Sequence, residues 1–255
     1  MRIWLQIGVF LLGIGLIQGQ GFDQLDWYLG TGTIQNKAQI NDQISNLVTK
    51  LNAKSKKSDR QFLMGVFNLA HRQFLKEYHQ YSSFNNIFEG GQYDCVTATA
   101  LYSLLLTELG YEHKIVETKY HIFILVESPA GQFLMESTDP INGFEYQKER
   151  INNRIAQYLA DDELSTGQLN TLEKVATINT VTPDQLTGLL YYNQCVKNFN
   201  DNELGVANRL LSKAKQFYDS PRMQEMEKIL RNRIALSDIG INSDLSRQVT
   251  QRQEP

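Results

Sequence analysis

The chain has 255 residues, 42% hydrophobic and 21% charged, with 25 Lys and Arg against 28 Asp and Glu. That length fits one large domain or two ordinary ones, at roughly 100–200 residues each, and the apolar share is too high for a disordered chain. Two cysteines exclude a disulfide scaffold and a four-thiolate zinc site, and a net charge of −3 offers no basic excess to recruit nucleic acid.

Residues 1–21 read as a signal peptide: Arg2, then an uncharged apolar run, then small residues at Gly19 and Gly21 before Phe22. The run is short for a membrane span of about 20 apolar residues, so the expectation is an exported, periplasmic or extracellular protein with no stable span after cleavage. Residues 22–60 are polar, but Ile40, Ile44, Leu47, Val48 and Leu51 recur at helical spacing. A second helix is expected over Asp59–Tyr78, capped by Ser58 or Asp59. Residues 79–94 read as a loop ending in the pair Gly90-Gly91. Residues 95–109 form an amphipathic helix on Ala98, Leu101, Tyr102, Leu105, Leu106 and Leu109, stopped by Gly110. Two strands follow, KIVETKYHIFILVES and GQFLMEST, parted by Pro129-Ala130-Gly131. From about Lys148 the chain reads as helical, punctuated by Pro183 and Pro221, and the polar tail 238–255 is expected to fray.

The helix and hairpin bring reactive groups together. Cys95 stands where the glycine loop becomes a helix, and a helix N-terminus lowers a thiol pKa and offers unpaired N–H groups to an oxyanion. Asp94 reads as the cap of that helix. His121 lies in the first strand, and Glu136 and Asp139 close the second. A carboxylate beside an imidazole fixes its tautomer and stabilises the imidazolium. His71 and His79 read as structural, and His113, after a helix stop, as exposed. No metal-binding His pair and no phosphate loop occurs, so neither metal nor cofactor is expected.

The order G-x-x-x-C, H-x-F, then an acid, on helix–strand–strand, resembles the transglutaminase-like (papain-like thiol) superfamily over roughly residues 60–145. The Cys–His spacing is 26 residues and the His–acid spacing 15 or 18. The resemblance implies an α+β fold, with the Cys helix packed on an antiparallel sheet and helices flanking it. It implies Cys95 as nucleophile, His121 as general base and acid, and a carboxylate as orienter. The family's usual Asp-Pro-Thr is met by Glu136 in position and by Asp139-Pro140 in residue type, and both stay candidates. Phe123 stands where the family usually has Trp. Gln92 is the candidate second oxyanion donor, beside the Cys95 amide.

In residues 186–218, the small residues Cys195, Ala207 and Ala214 are separated by 12 and then 7 positions, which resembles a tetratricopeptide repeat. Cys195 then fills a packing slot. One repeat cannot stand alone, so these helices are expected to pack on the core. The division expected is residues 22–147 for lead-in and core, 148–237 for the repeat-like helices. The leading function is acyl transfer or amide hydrolysis on a peptide or protein, with a protein partner for the C-terminal helices as a further expectation. The alternatives are a catalytically silent binding scaffold and a structural protein bridged between Cys95 and Cys195.

Overall fold

A computed structural model describes the backbone of residues 20–32, 36–53, 58–165 and 178–251, and the side chains of 24–32, 36–53, 58–160 and 178–236. The expected leader lies outside the described residues, apart from its last two, which open helix α1 (Gln20–Leu29). Helix α2 (Lys37–Asn52) buries Ile40, Ile44, Leu47 and Leu51, the stripe anticipated from their spacing. Helix α3 (Asp59–Gln73) starts on Ser58, whose hydroxyl accepts the Gln61 amide. It stops at Phe74, short of the expected Tyr78. The backbone there leaves the helix, and the Lys76 and Glu77 amides turn to the Gly91 carbonyl.

Strand β1 (Glu77–Tyr78) takes the end of the expected helix, and the single turn α4 (Asn86–Glu89) and strand β2 (Gln92–Tyr93) give form to the stretch 79–94 expected to be loop. β1 and β2 pair in parallel, Glu77 with Gln92. Helix α5 (Cys95–Glu108) follows. It is buried all round from Thr97 to Leu106, not amphipathic as its pattern suggested. The reason is its central place: α1, α2, α3 and α7 (Pro183–Asn200) surround one side and the main sheet the other.

That sheet contains β3 (His113–Glu117), β4 (Ile122–Ser128), β5 (Gly131–Met135), β6 (Phe144–Glu145) and β7 (Asn179–Val181), in the order β6-β5-β4-β3-β7, antiparallel throughout. The segment read as one long strand is the hairpin β3–β4. Its turn closes through the Thr118 amide donating to the His121 carbonyl at 2.8 Å and the His121 amide donating to Thr118 Oγ1 at 3.1 Å. His113 is half-buried, not exposed: its ring bonds Ser103 Oγ at 2.8 Å and the Tyr111 carbonyl at 3.0 Å.

Alternation along the strands sorts the core. Ile115, Ile122, Ile124, Val126, Phe133 and Met135 join the main core with α5. Val116, Phe123 and Leu134 form a smaller core against Ile151, Ile155 and Tyr158 of helix α6 (Lys148–Ser165).

Helix α7 and helix α8 (Leu204–Phe217) form a hairpin, and helix α9 (Pro221–Gln251) packs on α8. Pro183 and Pro221 each open a helix, where the missing N–H is harmless. Cys195, Ala207 and Ala214 are fully buried at the hairpin contact. Gly188 admits the close approach, since a β-carbon there would lie 2.7 Å from Tyr218 Cβ. Two expectations need correction. The stretch after residue 148 is not all helix, because β7 adds a strand beside β3, and the helix α9 runs on to Gln251 where a frayed tail was expected. One hydrophobic core runs from Leu25 to Leu230, so α7, α8 and α9 pack on the sheet-bearing part as anticipated. Among the described residues no helix is long and apolar enough to cross a membrane.

Candidate active site

Cys95 is the first residue of α5 because Asp94 caps that helix. Asp94 Oδ1 accepts the Thr97 amide at 2.9 Å, and Thr97 Oγ1 accepts the Asp94 amide at 2.9 Å. This is a reciprocal capping box. Two residues upstream, Gln92 is held by the β1–β2 pairing and accepts Ser82 Oγ on its carbonyl at 3.2 Å. Gly91 has φ of 76°, and a β-carbon there would strike Lys76, so the glycine before Gln92 serves both conformation and space.

The thiol environment departs from the expectation drawn from helix position alone. Burial first, then the charges of Asp94 and Glu136, push the Cys95 thiol up to about 12, although the Val96 and Cys95 amides pull it down. Desolvation and two carboxylates outweigh the helix N-terminus. The resting sulfur is therefore a neutral thiol at pH 7. Asp94 itself is raised by burial against the hydrogen bonds of Thr97 and Asn193.

Of the two acids, Glu136 is the one whose charge reaches Cys95. Its carboxylate is buried and accepts the Thr138 amide at 2.8 Å and Thr138 Oγ1 at 2.6 Å. The same charge also acts on the phenols of Tyr78, Tyr93, Tyr102 and Tyr158, each of them raised first by burial. Asp139 is occupied differently. Its Oδ1 accepts the Ile141 and Asn142 amides at 3.2 and 2.8 Å, and its Oδ2 pairs with Arg154 at 3.5 Å. Asp139 shapes the turn, which returns to β5 through the Glu136 amide donating to the Gly143 carbonyl at 2.8 Å.

His121 stands immediately before β4, half-buried, at the end of the strand rather than within it. Its ring stacks on Tyr158, centroids 4.3 Å apart and planes 25° apart. Tyr158 in turn lies in the fields of Glu136 and Asp139. The β4–β5 register ends at Ile124 opposite Met135. Carried one residue further, it sets Glu136 against Phe123, two residues from His121.

Sequence reading missed the residues that hold this arrangement from afar. On the Cys95 side, Asn193 of α7 donates to Asp94 Oδ2, and Gln194 donates to the Tyr81 and Ser82 carbonyls at 3.1 Å each. On the His121 side, Arg222 of α9 donates to the carbonyls of Thr118 and Lys119 at 2.8 and 3.0 Å and pairs with Glu117 at 3.2 Å. Tyr218 donates its hydroxyl to the other Glu117 oxygen at 2.9 Å. These partners are 99 to 113 positions away in the chain, and no local pattern signals them. Both cysteines are free, so no Cys95–Cys195 bridge exists. Among the described residues no cluster of His, Cys, Asp and Glu has a metal-holding arrangement.

Behind the site, His71 packs edge-on to Phe67 at 4.7 Å and lies near Tyr93 and Tyr102. Burial lowers its pKa to about 4, with Asp139 pulling weakly upward, and its Nε2 has no hydrogen-bond partner. An unfolded histidine takes its proton near pH 6.5 and this folded one only near pH 4. Stability is then full above pH 6.5 and falls as pH drops toward 4, by up to about 3 kcal/mol. Urea unfolding from pH 7 to pH 4 measures that slope. His71→Phe should flatten it, and an equal slope in the variant would refute the assignment.

The chain matches no protein-family model, no curated protein and no solved structure.

Proposed function

We propose that this protein is a thiol-dependent acyl-transfer enzyme of transglutaminase-like type, acting on an amide of a peptide or protein. Cys95 is the nucleophile, His121 the general base and acid, and Glu136 the orienting carboxylate. The observation that carries this reading is the Glu136 charge acting on the Cys95 thiol at a helix start, with His121 at the end of the neighbouring strand.

The neutral thiol sets the order of events. His121 takes the thiol proton as Sγ bonds to the substrate carbonyl carbon, and the carbonyl oxygen becomes the oxyanion. The Cys95 amide and a Gln92 side-chain donor face that charge. His121 then gives the proton to the leaving amine, the C–N bond breaks, and a thioester remains. Water or a second amine, deprotonated by His121, releases the acyl group. The helices α7, α8 and α9 frame the two halves of the site, and a repeat-like role in holding a protein partner is a further part of the proposal.

One observation favours the scaffold reading instead: a thiol near 12 is a poor nucleophile without a base. Treatment with p-nitrophenyl acetate separates the two. The enzyme reading expects an acetyl thioester on Cys95, formed about 10²–10⁴ times more slowly in His121→Ala. Equal, slow acetylation of Cys95 and Cys195, unchanged in His121→Ala, would leave only the scaffold.

A further inference from the structure

We infer that Tyr158 is a positioning residue for His121: its ring is the platform that holds the imidazole and steadies the imidazolium formed when the imidazole takes a proton. Helical spacing puts Ile151, Ile155 and Tyr158 on the α6 face that meets the sheet. His121 stands one residue before β4, and its ring meets the same Tyr158 ring as Phe123, which is fully buried. Tyr158 packs on both, 5.3 Å from Phe123 and 4.3 Å from His121 between centroids. The near-parallel stack presents the phenol's electron-rich face to the imidazole. A protonated ring over that face gains cation–π attraction. Burial and the Glu136 and Asp139 charges keep the phenol protonated, against the pull of Arg154.

The other charged groups near the pair are Glu117 and Lys119, flanking the turn, and Arg222 on that turn's carbonyls. The stack on Tyr158 gives the imidazole a π face, a contribution different in kind from these charges. The inference rests on the reading of His121 as base and acid, but its first test does not depend on turnover.

The test follows the His121 Cε1–H resonance through a pH titration of the full chain. Tyr158→Leu should lower the His121 pKa by about 0.5 pH units, and Tyr158→Phe, which keeps the ring, should leave it in place. Acetylation of Cys95 by p-nitrophenyl acetate should slow about tenfold in Tyr158→Leu, with its acid limb displaced to lower pH, and recover in Tyr158→Phe. An unmoved His121 titration in folded Tyr158→Leu overturns the inference. If the leucine variant fails to fold, Tyr158→Trp decides: its stronger π face should raise the His121 pKa, and no rise overturns the inference equally. A shifted titration together with acetylation indifferent to His121→Ala would retain the platform and remove the enzyme.

Discussion

Glu136→Gln is expected to move two rates in opposite directions. Acetylation of Cys95 by p-nitrophenyl acetate should fall about 10²-fold, because the imidazolium of His121 loses its carboxylate. Simple alkylation by iodoacetamide should rise about threefold at pH 8 when measured in a His121→Ala background, where no base assists. There the rate follows the thiolate fraction, and one of the two carboxylates that raise the Cys95 pKa has gone. Burial is the larger cause and persists, which keeps the gain modest. Asp139→Asn is the control. Asp139 is engaged by the Ile141 and Asn142 amides and by Arg154, so neither rate should change more than a fewfold. If Glu136→Gln lowers both rates while the protein stays folded, the carboxylate acts through local structure and not through its charge.

That contrast between the acids marks where sequence reading reached its limit. Glu136 and Asp139 stand three residues apart, and both fit the end of a strand before a turn. Residue type pointed to Asp139 and position to Glu136. What separates them is which backbone amides each carboxylate meets, and this depends on the path of the turn from Met135 to Phe144. Cys95 was easier. A glycine pair, an Asp cap and an apolar run define a helix start locally, and the structure puts the cap on Asp94. The direction of its pKa turns on burial, the largest cause, which sequence does not show. Asp94, the larger of the two charges, is visible as the neighbouring residue but reads first as a helix cap, and Glu136 lies 41 positions on.

The fold followed the same rule. Periodicity exposed α2 and α3, whose buried stripes are regular. It misjudged α5, where every face is covered and leucine spacing carries no direction. The β3–β4 turn escaped notice because Thr118-Lys119-Tyr120-His121 holds no glycine, proline or asparagine to announce it. A threonine hydroxyl and a distant arginine close it instead. β7 escaped because a three-residue strand has no measurable period.

That distant arginine supplies the second large effect. Glu117 is 3% exposed, and its carboxylate is held by Arg222 on one oxygen and by the Tyr218 hydroxyl on the other. Arg222→Ala should lower unfolding stability by about 2–3 kcal/mol, toward the low end for a broken buried pair because the arginine is partly exposed. The Thr118 and Lys119 carbonyls lose their donor as well. The turn that ends in His121 then gains freedom, and Cys95 acetylation should slow by about tenfold or more. The two losses have different origins and are separable. Adding Glu117→Gln to Arg222→Ala removes the stranded charge, so stability should return in large part. The carbonyls do not regain the Arg222 donor, so acetylation should stay slow. Denaturant unfolding reads the first quantity and p-nitrophenyl acetate the second. Stability within about 0.5 kcal/mol of the parent in Arg222→Ala would show that the pair does not hold the hairpin. Recovery of acetylation along with stability in the double variant would mean that the charge, and not the turn, governs where His121 stands.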